Sequence, residues 1–244
     1  MLKVEGFSQK YNEKVVVKDL NLEVMDGEIF GFIGHNGAGK STTIKSIVGI
    51  LPVETGEIYV NEMPITTNRK ACQQISAYIP DNPDLYEYMT GIDYINFIAD
   101  IFKVPEEERV EKIKKYGDAF EITDQLGDLI SSYSHGMKQK VALIGAFVHS
   151  PKLLVLDEPF VGLDPKASAV LKQSMRELCD QGSAIFFSTH VLETAQFLCD
   201  RVGMIDHGHL ILTGVVSELT KDKTLEEVFL ENLEAQKHME EKNA

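Results

Sequence analysis

Gly34-His35-Asn36-Gly37-Ala38-Gly39-Lys40-Ser41 reads GHNGAGKS, a complete G-x-x-x-x-G-K-[ST] phosphate loop. The β-rich apolar run Glu28-Ile29-Phe30-Gly31-Phe32-Ile33 precedes it, and Thr42-Thr43-Ile44-Lys45-Ser46-Ile47-Val48 can continue it as a helix. The motif therefore has the strand-loop-helix context that its chemistry requires. Glycines let successive backbone N–H groups turn toward one anion, and the helix N-terminus adds its positive end. Lys40 can reach the β- and γ-phosphates of a nucleoside triphosphate, and the Ser41 hydroxyl can ligate Mg²⁺. The loop from Gly34 through Ser41, with Thr42 after it, is the candidate nucleotide-binding segment.

Composition limits what this segment can belong to. With 244 residues and 43% hydrophobic content, the chain can bury one substantial core with an inserted lobe, but two independent domains would be tight. A net charge of -14 argues against broad attraction to nucleic acid or anionic lipid, so no nucleic-acid partner is expected. Any membrane association should run through protein contacts. The start, MLKVEGFSQKYNEK, has no apolar core of signal-peptide length, and apolar stretches such as Leu153–Leu156 fall far short of the roughly 20 residues that cross a bilayer. The expectation is a soluble, unsecreted chain. Cys72, Cys179 and Cys199 lack metal spacing and suit a reducing compartment, where they read as small buried apolar side chains.

Val15-Val16-Val17, Leu20, Leu22 and Val24 form short β-like pieces among charged residues, and Gly56-Glu57-Ile58-Tyr59-Val60 resumes the pattern. Half-apolar segments of this kind predict an antiparallel lobe beside the phosphate loop. From Thr90, TGIDYINFIADIF places Ile92, Ile95, Ala99 and Phe102 on one helical stripe, with Thr90 and Asp93 shaped like a capping box. Pro105 opens PEEERVEKIKKY, whose early acids and later lysines match a helix dipole, and the ionic run Glu106–Lys115 reads as its solvated face. The region from about 84 to 150 is thus expected as a helical subdomain inserted in an α/β core. Leu153-Leu154-Val155-Leu156 and Ala184-Ile185-Phe186-Phe187 are continuous apolar runs joined by a helical stretch, Lys166–Cys179, ended by Gly182. That alternation predicts a largely parallel sheet covered on both faces. A hairpin-like pair follows, Val202–Ile205 and Leu210–Leu212, turning at Asp206-His207-Gly208-His209. From about 215 to 244 a helical tail is expected, with Leu225, Val228 and Phe229 inward and a frayed end from Gln236.

The apolar run LLVL ends in Asp157-Glu158-Pro159, delivering two carboxylates to the edge where strands of such a sheet end. Neighbouring strand residues point differently, so the two acids need separate roles. Asp157 can hold Mg²⁺ directly or through water, and Glu158 can orient or deprotonate an attacking water. His190 follows the run Phe187-Ser188-Thr189 and should reach the same edge, as a γ-phosphate hydrogen-bond donor or as a packed polar residue.

With these motifs in place, the whole chain resembles an ATP-binding cassette (ABC) subunit, the motor half of a membrane transporter. Within that superfamily it is similar to the ATPase subunits of bacterial ABC-2-type exporters that pair with a separate membrane-spanning protein. The resemblance implies an α/β P-loop NTPase core with an N-terminal antiparallel β lobe and an inserted helical lobe, forming one ATPase domain over residues 1–244. GHNGAGKS would be Walker A, LLVLDE Walker B with Glu158 the catalytic carboxylate, Gly162-Leu163-Asp164-Pro165 the D-loop, and His190 the switch histidine. Tyr11 would stack on adenine. Tyr133-Ser134-His135-Gly136-Met137-Lys138-Gln139-Lys140 would be the signature segment, with Ser134, His135 and Gly136 touching the γ-phosphate held by a second subunit. Three positions depart from the usual pattern: His135 replaces glycine, Met137 stands where glutamine is common, and Asp81 replaces a glutamine. Ionised aspartate only accepts hydrogen bonds and is shorter, and Asp81 joins Ser41 and Asp157 as a candidate Mg²⁺ residue.

The activity implied is ATP hydrolysis with ATP and Mg²⁺, coupled to export through a separate multi-spanning permease. The motor would be a homodimer or a heterodimer with a related ATPase, held at the cytoplasmic face of the cell membrane. Leu85, Tyr86, Tyr88 and Met89 are candidate permease contacts. The alternative is a soluble cassette ATPase acting on a ribosomal or other cytosolic assembly, although a second cassette and a long coiled-coil insertion are absent. A kinase or GTPase leaves Ser134-His135-Gly136 and His190 unexplained, and no guanine-reading N-K-x-D segment is found.

Overall fold

A computed structural model describes the backbone of residues 1–11 and 14–243, and all their side chains except those of residue 11 and of residues 236–243. In chain order the elements are β1 (Leu2–Tyr11), β2 (Lys14–Val24), β3 (Ile29–Ile33), α1 (Lys40–Ile47), β4 (Thr55–Val60), β5 (Met63–Pro64), α2 (Ile65–Gln74) and β6 (Ser76–Ile79). There follow α3 (Gly91–Ile101), α4 (Glu106–Ala119), two 3-10 turns, α5 (His135–Val148), β7 (Leu153–Asp157), α6 (Pro165–Asp180) and β8 (Ala184–Thr189). The chain closes with α7 (Leu192–Leu198), β9 (Arg201–Asp206), β10 (His209–Val215), α8 (Val216–Leu219) and α9 (Leu225–Asn243).

Two sheets form among the described residues. One is antiparallel, ordered β2-β1-β4-β5, and the other is ordered β10-β9-β3-β8-β7-β6. In the second, β9, β3, β8, β7 and β6 run parallel and only β10 is antiparallel, as the partner of β9. This is the fold class expected from the sequence. The pieces from Val15 to Val24 merge into a single strand, because β1 pairs along most of their length with register shifts that absorb the interruptions.

Strand alternation divides the interior in two. Phe30, Phe32, Leu153, Val155, Ala184 and Phe186 face the antiparallel sheet and α1, in a core shared with Leu2, Val4, Phe7 and Ile44. Ile29, Ile33, Leu154, Leu156, Ile185 and Phe187 face the opposite way, into a core shared with α3, α5, α6 and the start of α9. Every residue of β3, β7 and β8 is buried, which explains why these strands read as unbroken apolar runs. Phe186 stacks on Phe30 at 5.8 Å between centroids and tilts against Phe32 at 5.3 Å, and each buried ring contributes about 2–3 kcal/mol through removal from water.

The helices between β6 and β7 begin where the sequence signals them. Thr90 caps α3 by accepting from the Asp93 N–H at 3.2 Å, and its hydroxyl lies 2.7 Å from the Asp93 carboxylate. Pro105 precedes α4, whose first turn holds Glu106, Glu107 and Glu108. Lys115 of α4 pairs with Glu177 of α6 at 2.8 Å, tying this helical layer to the crossover helix. At the chain's end, Leu225 and Val228 are buried, Phe229 packs partly, and the Leu225 N–H donates to Gln196 of α7 at 2.8 Å. The segment expected to fray from Gln236 is helical as far as Asn243.

His149, just past α5, stacks face to face on Phe102 at 3.6 Å between centroids. Burial, reinforced by the nearby Lys112 charge, lowers its pKa to about 4. The unfolded chain therefore binds an extra proton between about pH 6.5 and about pH 4, and stability present above that window is lost on acidification. Chemical denaturation should show the parent chain losing about 1–3 kcal/mol more than a His149→Gln variant when pH falls from about 7 to about 4.5; equal losses would remove His149 as an acid-sensitive point.

Candidate functional site: a nucleotide cavity at the C-terminal edge of the parallel sheet

Because β3, β6, β7 and β8 are parallel, their C-termini share one edge, and the chain emerging from each brings polar groups there. β3 leads into the phosphate loop, β6 into Asp81, β7 into Asp157 and Glu158, and β8 into His190. A cavity of about 290 Å³ at this edge is lined by Val16, Asn36, Gly37, Gly39, Lys40, Ser41, Thr42, Asp81, Asp157 and Glu158. Val16 comes from β2 and carried no functional signal in the sequence, where it is one of three consecutive valines.

The loop's shape depends on two glycines. A Cβ at Gly34 would stand 2.3 Å from the Ile205 carbonyl oxygen, so β9 can lie against the loop only because Gly34 has no side chain. Gly39 sits at φ 113° as the N-cap of α1 and makes no side-chain cap bond. Among the described residues, the first N–H groups of α1 have no intrahelical or side-chain partner, and this is the arrangement that receives phosphate oxygens. Lys40 is buried and donates to the Gly34 carbonyl at 2.7 Å and to that of His35 at 3.3 Å, with the Glu158 carboxylate 3.4 Å from its Nζ. The ammonium is thus held centrally by carbonyl dipoles rather than by one neutralising partner.

Asp157 and Glu158 separate as strand alternation requires. Asp157 ends β7, buried, and one carboxylate oxygen accepts from the hydroxyl of buried Ser188 on neighbouring β8. Glu158 leaves the strand at φ 48°, a left-handed conformation costly for a residue with a side chain, and its N–H donates to the Ser188 carbonyl and hydroxyl, each at 3.2 Å. Its Oε2 lies 3.1 Å from His190 Nδ1, while buried Oε1 accepts no hydrogen bond among the described residues. Ser188 therefore supports both acids. It escaped the sequence reading, although a polar residue closing an apolar run was the available signal. Burial, with the charges of Asp157 and Asp81 adding to it, pushes the Tyr78 phenol up, so that group stays protonated beside the two acids.

The remaining candidates lie elsewhere. The His35 side chain turns away toward Asp206, with Nε2 2.7 Å from its carboxylate. Gly34, His35 and His190 line an adjoining cavity with Phe229 of α9, and Ala38 is fully buried with its carbonyl accepting from Gly208. The backbone of Tyr11 ends β1, but its side chain lies outside the described residues. Ser134 caps α5 by accepting from the Met137 N–H at 3.3 Å and is exposed; neither it nor His135 nor Gly136 lines the phosphate-loop cavity. The start of α5 packs instead on the segment after Glu158. A Cβ at Gly162 would meet the His135 ring at 2.4 Å, Gln139 donates to the Pro159 carbonyl at 3.4 Å, and Lys140 pairs with Asp164 at 3.0 Å.

The donor set suits a magnesium nucleotide. A hydroxyl at Ser41 and carboxylates at Asp157 and Asp81 are hard oxygen ligands on the cavity wall, without the thiolate or imidazole cluster that would favour a softer metal.

Comparison with known proteins agrees with this geometry. Residues 17–161 match the family model described as ABC transporter. The ABC-type transporter ATP-binding protein EcsA of Bacillus subtilis is 33% identical over 95% of this chain and 96% of its own length. A solved ATP-binding subunit of an ABC transporter superposes with a TM-score of 0.92 at 33% identity, covering 96% of this chain and 99% of the other. The structure of cbiO1 from Clostridium perfringens, part of the ABC transporter complex cbiONQ, gives a TM-score of 0.76 at 28% identity, covering 91% and 90%. A family match across more than half the sequence, relatives aligned nearly end to end and a phosphate-loop cavity at the expected sheet edge together establish that the chain belongs to the ABC transporter family, as an ATP-binding subunit.

Proposed function

We propose that this chain is the ATP-hydrolysing motor of an exporter, acting as a pair of cassettes on a separate membrane-spanning permease. The observation that carries the hydrolytic reading is Glu158. One of its carboxylate oxygens lies beside His190 while the other, buried on the cavity wall with the Lys40 ammonium 3.4 Å away, accepts no hydrogen bond among the described residues and so keeps acceptor capacity for the proton of an attacking water. Lys40 and the N-terminus of α1 bind the phosphates, Ser188 fixes Asp157 for the metal side, and Glu158 draws the proton from the attacking water. A magnesium ion held by Ser41 and Asp157, with Asp81 nearby, would supply charge neutralisation between the β- and γ-phosphates. His190 presents Nδ1 to Glu158, which leaves Nε2 as its nitrogen for the γ-phosphate.

The signature residues support pairing. Ser134, His135 and Gly136 stand at an exposed helix start away from the chain's own phosphate loop, the disposition needed to meet nucleotide held by a second copy or a related subunit. Through Gln139–Pro159 and Lys140–Asp164 that helix is attached to the segment following Glu158, so closure of the pair and position of the base are mechanically linked.

A surface for the permease lies near the start of the helical layer. Tyr86 is 46% exposed, Tyr88 78% and Phe97 39%; Tyr86 packs against Tyr88 and Phe97, each at 5.8 Å between centroids. Leu85, by contrast, is buried and belongs to internal packing, while Met89 is partly buried against the same core. An exposed aromatic cluster on an acidic protein fits a short apolar helix of a membrane partner. No helix among the described residues is long and apolar enough to cross a membrane itself.

Three outcomes test this reading. Glu158→Gln should retain ATP while turnover falls by about 10²–10⁴-fold; turnover equal to the parent would remove Glu158 as the base. Asp81→Ala should raise the Mg²⁺ concentration for half-maximal hydrolysis by roughly fivefold, the scale of one weakened polar contact of about 1 kcal/mol, and an unchanged Mg²⁺ profile would exclude Asp81 from the metal side. Replacing Tyr86 and Tyr88 together by alanine should lower recovery of a multi-spanning protein on affinity capture from gently solubilised native membranes, with ATP affinity preserved. Undiminished recovery would move the permease contact elsewhere.

A further inference from the structure

The β9–β10 hairpin turns through His207 at φ 43° and Gly208 at φ 83°, and this turn is bonded directly to the phosphate loop. Gly208 donates to the Ala38 carbonyl at 2.9 Å and accepts from the Lys18 N–H of β2 at 2.9 Å. A Cβ at Gly208 would lie 2.4 Å from the Val16 carbonyl oxygen, so glycine is required for the turn to nest there. The approach brings Asp206 and His207 beside His35, and ligand atoms of the three residues all lie within 4.8 Å of one another.

The hydrogen-bond chemistry of His35 is selective. Its Nδ1 lies 2.7 Å from the Asn36 carbonyl oxygen, which can only accept, so a neutral ring that donates there has its one proton on Nδ1. Nε2, 2.7 Å from Asp206 Oδ1, would then face a carboxylate with a lone pair. Two acceptors at that separation repel unless a proton or a cation lies between them. Metal-bound histidines have this same arrangement, with the distal N–H fixed on a backbone carbonyl and the other nitrogen free to ligate. His207 adds a second imidazole, its Nε2 3.9 Å from the same Oδ1 and its ring 5.1 Å from that of His35. Asp206 is mostly shielded, with 14% of its side chain exposed, whereas His207 is 82% exposed and can reorient.

We propose that His35, Asp206 and His207 form a site for a zinc-class divalent cation that staples the phosphate loop to the β9–β10 turn. Two imidazoles and one carboxylate are the three-ligand set that zinc accepts with an open fourth position. Ligands about 2.1 Å from a tetrahedral centre stand about 3.4 Å apart, so the 2.7 Å pair must open slightly and the 3.9 Å pair must close slightly. Both changes lie within the reach of exposed histidine rotamers. The site is distinct from the oxygen-rich wall proposed for Mg²⁺, and binding there requires no hydrolytic role for Glu158. Its effect would be on the entry to the phosphate loop, since the His35 carbonyl accepts from Lys40 and Asn36 lines the nucleotide cavity.

The test is calorimetric titration of metal-stripped full chain with zinc in excess Mg²⁺, with cobalt(II) as a visible-absorption probe of nitrogen ligation. One zinc per chain is expected, together with a raised thermal midpoint. Affinity should fall about tenfold or more in His207→Asn and in Asp206→Asn, consistent with loss of one ligand from a small set. Asparagine tolerates the left-handed backbone at 207, so that variant is expected to fold, which circular dichroism verifies. His209→Asn and His190→Ala should bind zinc as the parent does. Absence of stoichiometric zinc binding, parental affinity in a folded His207→Asn, or loss of binding in either control would overturn the site.

Discussion

Parallel alignment of β3, β6, β7 and β8 is the constraint from which the remainder of the site follows. Parallel strands must be covered on both faces, because their connections return across the sheet as helices or lobes. Here one cover is the antiparallel sheet with α1, and the other is the helical layer with α6 and α9. With both faces occupied, the edge where the strands end stays open to a polar ligand, and four chain segments discharge their polar groups there. Any slip of one residue in β7 would exchange Asp157 with Leu156 at the edge and send apolar groups to the wrong core.

The charges at that edge are kept useful by incomplete satisfaction. Lys40 is buried among two carbonyls and a carboxylate at 3.4 Å, an arrangement that offsets its desolvation without tying it to one anion. Ser188 donates to one oxygen of Asp157 and holds the backbone of Glu158, leaving the carboxylates with further acceptor capacity. A fully paired network would be more rigid and chemically idle.

Much of this was legible in the sequence because the signals are local. The phosphate loop is defined by backbone requirements at fixed spacing, the strands by unbroken apolar runs, α3 by Thr90 and Asp93, and α6 by its position between two buried strands. What escaped depends on contacts distant in sequence. Nothing in Val16 marks it as a cavity wall; that role exists because β2, paired with β1, runs past Gly39 of the phosphate loop. Ser188 becomes a support only through its register opposite Asp157 on β7. His35 reads as a phosphate-loop residue, yet its side chain is claimed by a hairpin some 170 residues later. Leu85 and Tyr86 are neighbours of similar apolar character, and only the packing of the helical layer sends one inward and the other to solvent.

Glu158 occupies a left-handed backbone conformation that glycine would adopt without strain. A glycine there would relieve about 1 kcal/mol while deleting the carboxylate proposed to activate water. Selection for thermal robustness and selection for turnover therefore pull in opposite directions at this one position. If Glu158 activates water as proposed, a cassette retained for binding alone would have an energetic incentive to lose its acid at this position first.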